Sequence, residues 1–116
     1  MAFEVEYTDE FGEWWETLTG AIKEDIDAVA GELERRGPNL PYPFSSKVRG
    51  SSHSHMRELR IQSGGHPIRI FYAFDPRRMA ILLLGGDKKG DDAFYERMIP
   101  LVDRLYRVHL QEIGGS

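Results

Sequence analysis

Arg57-Glu-Leu-Arg-Ile-Gln62 opens the stretch that decides the fold, and Ile68-Arg-Ile-Phe-Tyr-Ala-Phe-Asp75 and Met79-Ala-Ile-Leu-Leu-Leu-Gly-Gly-Asp-Lys-Lys89 complete it. The first two segments alternate apolar and polar residues with period 2, which predicts β-strands. The third carries a continuous apolar run, which is typical of a strand covered on both faces. Residues 63–67 and 75–78 are rich in turn formers, so we predict that hairpins connect the three strands.

The alternation also predicts which side chains share a face of the sheet. A shift of one residue would carry a whole apolar set into water, so burial determines the register. The set that must share the core face is Leu59, Ile61, Ile68, Ile70, Tyr72 and Phe74. Arg60 and Arg69 then lie together on the opposite face. Because the third strand leaves through Gly85-Gly86 into Lys88 and Lys89, we predict an anion-binding site at this end of the sheet.

Residues before this stretch predict one further strand and two helices. Phe3 to Tyr7 alternates like a strand with one wet face. Helical spacing of apolar residues follows, with N-cap chemistry at Thr8, a break at Thr19-Gly20 and an end at Gly37. The three prolines between Pro38 and Phe44 predict an extended connection.

The remaining segments predict a loop and a last helix. Residues 45–55 form a polar loop in this prediction. A final helix is capped by Asp91 or Asp92, with a kink or a late start at Pro100, and residues 113–116 should fray. The fold class is α+β: an antiparallel three-stranded block with helices covering one face, in a single domain spanning 1–116.

Composition excludes several classes of protein. The chain has 116 residues, 41% of them hydrophobic, and contains no cysteine, hence no disulfide and no thiolate metal site. The start has neither a basic n-region nor an apolar h-region, and the longest apolar run is far too short to span a membrane. We therefore expect a cytoplasmic protein without a membrane partner.

Charge is distributed unevenly along the chain, although the net charge is only −4. The first 34 residues contain eleven carboxylates and the single base Lys23. Residues 47–89 contain nine bases and three acids. An acidic helical part and a basic sheet indicate a polyanionic partner on one surface.

Five segments in this order resemble the HigB-like, phage-derived branch of the RelE/ParE toxin superfamily. They are Ser45-Ser-Lys-Val-Arg-Gly-Ser51, Met56-Arg-Glu-Leu-Arg60, Arg69-Ile-Phe-Tyr-Ala-Phe-Asp-Pro76, Ile81-Leu-Leu-Leu-Gly-Gly-Asp-Lys88 and Phe94-Tyr-Glu-Arg-Met-Ile-Pro100. The resemblance covers nearly the whole chain. It implies a RelE/ParE-like fold, with an N-terminal strand and helical hairpin packed on a mainly antiparallel sheet and a C-terminal helix.

The resemblance further implies a toxin of a type II toxin–antitoxin system that cleaves mRNA on the ribosome and so inhibits translation. The positions that usually act in such toxins are here Arg60, Arg69 and Lys88. Guanidinium groups suit a crowded phosphorane because their planar forks match phosphate geometry and stay charged. Neighbouring like charges favour the neutral amine of Lys88, which would help it to transfer protons.

Further basic residues and one histidine are candidates for contact with RNA. They are Lys47, Arg49, His55, Arg57 and Lys89. The resemblance implies a cognate antitoxin, expected to be a helix-turn-helix protein, together with the ribosome and mRNA as partners. Operator DNA would be reached only through the antitoxin.

Alternative interpretations stay open. A member of the superfamily without nuclease activity would act by binding alone, either as a ParE-like gyrase inhibitor or as an inactive phage-derived protein. His53 and His55 form a His-x-His pair without an obvious third ligand, so we expect no metal site and no cofactor. His109 is expected to be a partly buried helix residue. The segment Gly85-Gly-Asp-Lys-Lys-Gly90 lacks the spacing of a nucleotide-binding P-loop.

Overall fold

A computed structural model describes residues 2–114. The elements follow one another as strands β1 to β5 and helices α1 to α3. In chain order they are β1 (Val5–Tyr7), α1 (Asp9–Glu16), α2 (Gly20–Arg36), β2 (Ser45–Lys47), β3 (Arg57–Ser63), β4 (His66–Phe74), β5 (Ala80–Asp87) and α3 (Phe94–Gly114), with a 3₁₀ turn at Gly37–Asn39 after α2. The α+β class is confirmed.

The sheet has five strands in the order β1-β5-β4-β3-β2. Neighbours from β5 to β2 are antiparallel, whereas β1 runs parallel to β5. The prediction of a loop over residues 45–55 was wrong at its start, because β2 pairs with β3 there. Ser45 is buried, and its Oγ lies 2.6 Å from the hydroxyl of Tyr72. This tertiary hydrogen bond holds a short strand that the sequence Ser-Ser-Lys does not predict by propensity.

Both predicted hairpins are present, and the first is tighter than expected. Ser63 pairs directly with His66, so Gly64 and Gly65 alone make the turn. Their φ values of 55° and 82° lie in the left-handed region, which glycine adopts without steric cost. The second hairpin closes where the backbone N–H of Asp75 donates to the carbonyl oxygen of Met79 at 2.9 Å.

The helices begin and end largely where their capping residues predict. The Thr8 and Thr19 hydroxyls accept hydrogen bonds from the first turns of α1 and α2, and Gly37 with φ 55° ends α2. The predicted late start at Pro100 was wrong, since α3 begins six residues earlier and includes this proline. The helix continues through Gly114, and the remainder of the segment expected to fray lies outside the described residues.

Two apolar layers sandwich the sheet, one on each face. Helices α1 and α2 cover the face of Leu59, Ile61, Ile68, Ile70 and Tyr72. Helix α3 covers the opposite face, where Phe71, Ala73, Ile81 and Leu83 meet Phe94, Met98, Val102 and Tyr106. The shared core face of the strands is thus confirmed, but the prediction that helices cover only one face was wrong.

Gly85 and Gly86 lie inside β5. We had predicted that they form the turn after this strand, and that prediction was wrong. A Cβ on Gly85 would overlap the Trp14 ring on one face of the sheet. A Cβ on Gly86 would lie 2.8 Å from the ring of Phe94 on the other face. The glycine pair therefore lets a helix approach the strand closely on both sides, and on the second side that helix is α3.

Candidate functional site

Arg60 and Arg69 lie directly opposite each other on neighbouring strands β3 and β4. Residues paired in this way project to the same face of a sheet, here the face that α3 covers. The predicted common face of the two arginines is therefore confirmed. Their surroundings differ: the Arg60 side chain is 27% exposed and lies 5.1 Å from the Tyr42 ring centroid, whereas the Arg69 side chain is only 7% exposed.

Glu58 lies between the two arginines and was missed by the sequence analysis. Its carboxylate is buried and accepts hydrogen bonds from the Ser46 hydroxyl at 2.8 Å and the Tyr95 hydroxyl at 2.7 Å. Arg60 NH1 lies 3.5 Å from one carboxylate oxygen, and Arg69 Nε lies 3.9 Å from the other. A sequence signal was available, because Glu58 shares the parity of Arg60 on β3.

The Arg69 guanidinium keeps part of its hydrogen-bonding capacity free. Its NH1 donates to the carbonyl oxygen of Ile68 at 3.0 Å. Its Nε is buried and, among residues 2–114, has no hydrogen-bond partner. The 3.9 Å gap to Glu58 is too long for a hydrogen bond. A buried cationic donor without an acceptor is costly, so a site that retains one is suited to receive an anion.

Lys88 and Tyr95 form one wall of a cleft beside this group. The Lys88 ammonium lies 5.6 Å from the centroid of the Tyr95 ring, and the Lys88 backbone N–H donates to Pro67 at 3.1 Å. The cleft has a volume of about 570 Å³. Its lining includes Gln62, Pro67, Phe94 and Tyr95, together with the bases Lys88 and Lys89 and the acids Asp91 and Asp92. Burial raises the pKa of the Tyr95 phenol, and its hydrogen bond to Glu58 raises it further, so the hydroxyl stays protonated at neutral pH.

The other candidate RNA contacts are spread over both faces of the sheet. Lys89 is exposed and borders the cleft. Lys47 pairs with Arg57, and Arg57 pairs with Tyr72, so both bases project to the α1–α2 face, away from Arg60 and Arg69. The Arg57 Nε donates to the Ser45 hydroxyl at 2.9 Å.

Arg49 and His55 are exposed in the segment that joins β2 to β3. This segment is attached to α3 through the buried carboxylate of Asp103. That carboxylate accepts hydrogen bonds from the Ser51 hydroxyl and from the backbone N–H and hydroxyl of Ser52. The His53 ring packs edge-on against Tyr106, with ring centroids 4.9 Å apart. His53 therefore has a packing role, while Arg49 and His55 remain accessible.

A second ionic cluster occupies the other end of the same sheet face. Asp75 follows β4 and accepts hydrogen bonds from Arg77 Nε at 2.9 Å, Arg77 NH2 at 2.7 Å and His109 Nε2 at 2.9 Å. Burial alone would raise the pKa of Asp75, but the hydrogen bonds from His109 and Arg77 outweigh it and lower the pKa. Six residues along a strand separate Asp75 from Arg69, about 20 Å, so His109 lies away from the arginine pair.

The acidic helices lie on the face of the sheet opposite to the arginine pair, because α1 and α2 belong to the other apolar layer. In the described part of the chain, no three His, Cys, Asp or Glu side chains converge closely enough to hold a metal ion. No helix among residues 2–114 is long and apolar enough to cross a membrane.

The fold is that of the RelE toxins. A structure of a free double mutant of the Escherichia coli toxin RelE superposes with a TM-score of 0.63 at 16% identity, covering 90% of this chain and 98% of that one. The family model described as "Phage derived protein Gp49-like (DUF891)" matches residues 13–107.

Two curated relatives narrow the assignment. The candidate toxin HigB3 of Mycobacterium tuberculosis is 41% identical over 105 residues, covering 89% of this chain and 90% of that protein. The candidate toxin HigB2 of the same organism is 37% identical, and the match spans 52% of its length. This chain belongs to the phage-derived Gp49-like family, and its relatives include toxins named HigB. It is thus a type II toxin by class, which implies a cognate antitoxin.

Proposed function

We propose that this toxin is a metal-independent endoribonuclease that cleaves mRNA on the ribosome. One observation carries the proposal: a cross-strand pair of arginines lies beside a cleft that Lys88 and Lys89 help to line, and the buried Nε of Arg69 has no hydrogen-bond partner among the described residues. Such an arrangement is suited to a phosphodiester, whose non-bridging oxygens accept several charge-assisted hydrogen bonds.

The reaction we propose is an internal transfer at one phosphate of the RNA. The 2′-oxygen forms a bond to phosphorus, the bond from phosphorus to the 5′-oxygen breaks, and the products carry a 2′,3′-cyclic phosphate and a 5′-hydroxyl. Arg60 and Arg69 stabilise the charge of the phosphorane, for which preorganised donors give large rate effects. The 2′-hydroxyl loses a proton and the departing 5′-oxygen gains one; Lys88 either accepts the first proton or donates the second, and water performs the other transfer.

The proposed partners follow from the same assignment. The ribosome presents the mRNA, and a cognate antitoxin of the helix-turn-helix type holds the toxin inactive and connects it to operator DNA. The proposed RNA contacts remain Lys47, Arg49, His55, Arg57 and Lys89. Among them Lys89 has the strongest support, since it borders the same cleft as Lys88.

Primer extension on an actively translated mRNA tests the function. Induction of the wild-type protein should give discrete new 5′ ends only when the message is translated. Arg69→Ala should reduce cleavage by about 100-fold or more and abolish growth arrest while the protein stays folded, because it removes a group that acts on the transition state. Growth arrest by a folded Arg69→Ala protein would remove Arg69 from the site.

A parallel assay of gyrase-mediated DNA cleavage distinguishes the alternative. Intact mRNA together with trapped gyrase–DNA complexes would identify an inhibitor that acts by binding. Intact mRNA and unaffected gyrase, with wild-type protein that is folded and expressed, would indicate an inactive phage-derived protein. Either result would contradict the proposed nuclease.

A further inference from the structure

Glu58 contacts both arginines of the candidate site and the tyrosine that lines its cleft. Its two oxygens receive a hydroxyl from β2 (Ser46, 2.8 Å) and a hydroxyl from α3 (Tyr95, 2.7 Å). The guanidinium groups of Arg60 and Arg69 lie 3.5 Å and 3.9 Å from the same carboxylate. The residue is 5% exposed, so little water competes for these contacts.

We propose that Glu58 is a positioning residue, which holds Tyr95 and Arg69 in the orientation that the reaction requires. This inference rests on the proposed nuclease activity and concerns how its site is assembled. Glu58 carries a negative charge, so direct contact with a substrate phosphate would be repulsive. Its effect must therefore pass through the groups that it touches.

Tyr95 carries this effect to the cleft. The Tyr95 side chain lines the cleft wall and faces the Lys88 ammonium, while its hydroxyl donates to Glu58. Because the phenol keeps its proton, the hydroxyl donates and the carboxylate accepts, which gives the ring one defined orientation. Loss of the carboxylate charge would weaken this hydrogen bond and leave the ring free to turn.

Arg69 is held in a complementary way. Its Nε faces the Glu58 carboxylate across a gap that Coulomb attraction spans but a hydrogen bond does not. The attraction keeps the buried guanidinium in place and leaves its Nε without a hydrogen-bond partner among the described residues. A shorter contact would occupy the Nε of Arg69, as Asp75 occupies the Nε of Arg77.

Glu58→Gln separates positioning from simple electrostatics. A uniform-charge view predicts tighter RNA binding and at least equal cleavage, since one negative charge is removed. Positioning predicts that ribosome affinity is unchanged or tighter, while the single-turnover rate of mRNA cleavage falls by about 100-fold, which is the scale of a 1 Å misplacement. Glu96→Gln removes a carboxylate from an exposed position on α3 next to Tyr95 and should leave the rate unchanged.

Two further variants test the route. Tyr95→Phe deletes only the hydroxyl and should slow cleavage about tenfold, while Ser46→Ala should change the rate less than about threefold. The double variant Glu58→Gln/Tyr95→Phe should be no slower than Glu58→Gln alone, because the two groups act as one unit. If Glu58→Gln does not fold, the contrast between Tyr95→Phe and Ser46→Ala decides, and equal rates for the two would overturn the proposal.

Three results would overturn the role of Glu58. They are wild-type cleavage by folded Glu58→Gln, a parallel fall in rate and ribosome affinity, and rate losses that multiply in the double variant. A wild-type protein that leaves translated mRNA intact would instead overturn the proposed function. The two failures are therefore distinguishable in the same experiment.

Discussion

Two buried carboxylates, Glu58 within β3 and Asp75 just after β4, lie on the sheet face that α3 covers, and each forms a cluster with basic side chains. Asp75 makes hydrogen bonds of 2.7 to 2.9 Å to Arg77 and His109. Glu58 approaches its two arginines only to 3.5 Å and 3.9 Å and makes its hydrogen bonds to hydroxyl groups instead.

The two clusters differ in whether the carboxylate makes hydrogen bonds to its basic neighbours. In the Asp75 cluster the carboxylate accepts hydrogen bonds from Arg77 and His109. These bonds join the end of β4 to the C-terminal part of α3. In the Glu58 cluster the carboxylate attracts Arg60 and Arg69 without accepting hydrogen bonds from them. Among the described residues the Arg69 Nε therefore has no hydrogen-bond partner. The first arrangement stabilises the fold, and the second prepares a site for an anion.

The largest expected effect comes from exchanging one arginine for lysine in each cluster. Arg69→Lys keeps a positive charge but loses the planar fork, so cleavage should fall by about 100-fold or more with little change in melting temperature. Arg77→Lys should lower the melting temperature by a few degrees, because one of the hydrogen bonds to Asp75 is lost. Its cleavage rate per folded molecule should match the wild type. Single-turnover cleavage rates and thermal melts of both variants test this prediction. Equal losses in cleavage rate would contradict the distinction between the Glu58 and Asp75 clusters.

A smaller effect is expected when the Asp75 cluster loses its carboxylate. Asp75→Asn should reduce the free energy of unfolding by about 2 kcal/mol, the scale of hydrogen bonds to a charged group, and leave cleavage unchanged. Urea unfolding measures this loss, with Glu24→Gln on the exposed side of α2 as the control.

The same variant has a predictable dependence on pH. The pKa of Asp75 is lowered from its ordinary value of 3.8, so its stabilising contribution is complete above that value and is lost as pH falls through the pKa of the folded state. The stability difference between wild type and Asp75→Asn should therefore shrink in acid below about pH 3.8. A difference that stays the same into strong acid would show that the Asp75 charge contributes nothing.

Strand parity allowed half of the site to be predicted from the sequence. Period-2 burial forces Arg60 and Arg69 onto one face whatever the rest of the chain does, and the structure pairs them directly. The same rule, applied to every residue of β3, would have assigned Glu58 to that face and Arg57 to the other. The alternation along β3 is therefore sufficient to assign Glu58 to the face of the arginine pair.

The rest of the site depends on contacts between distant parts of the chain. Glu58 is buried because Ser46 and Tyr95 reach it, and these residues lie 12 and 37 positions away. A register shift between Phe71 and Tyr72 makes Gly86 the partner of Arg69, and Gly86 admits Phe94 and so brings α3 to this end of the sheet. Neither the irregularity nor the face that α3 covers follows from local periodicity, because both are decided by tertiary packing.

The smallest expected effect concerns where the RNA lies relative to the two faces of the sheet. Lys89 borders the cleft beside the arginine pair, whereas Lys47 is exposed on the opposite face of the edge strand β2. If the RNA follows the cleft, Lys89→Ala should lower the slope of log K against log salt by about 0.7 to 0.9, the effect of one lost phosphate contact. Lys47→Ala should change that slope much less, because exposed charges more than about 8 Å apart are largely screened at physiological ionic strength.

Ribosome binding measured across a salt titration compares the two lysines directly. Charge reversal at Glu13, exposed on α1, provides the control for a general effect of net charge and should resemble Lys47→Ala. Equal slope changes for Lys47→Ala and Lys89→Ala would mean that the RNA path passes round the β2 edge and uses both faces, as the candidate set derived from the sequence implies. A change confined to Lys89→Ala would restrict the RNA to the face of Arg60 and Arg69, and would place Lys47 and Arg57 outside the interface.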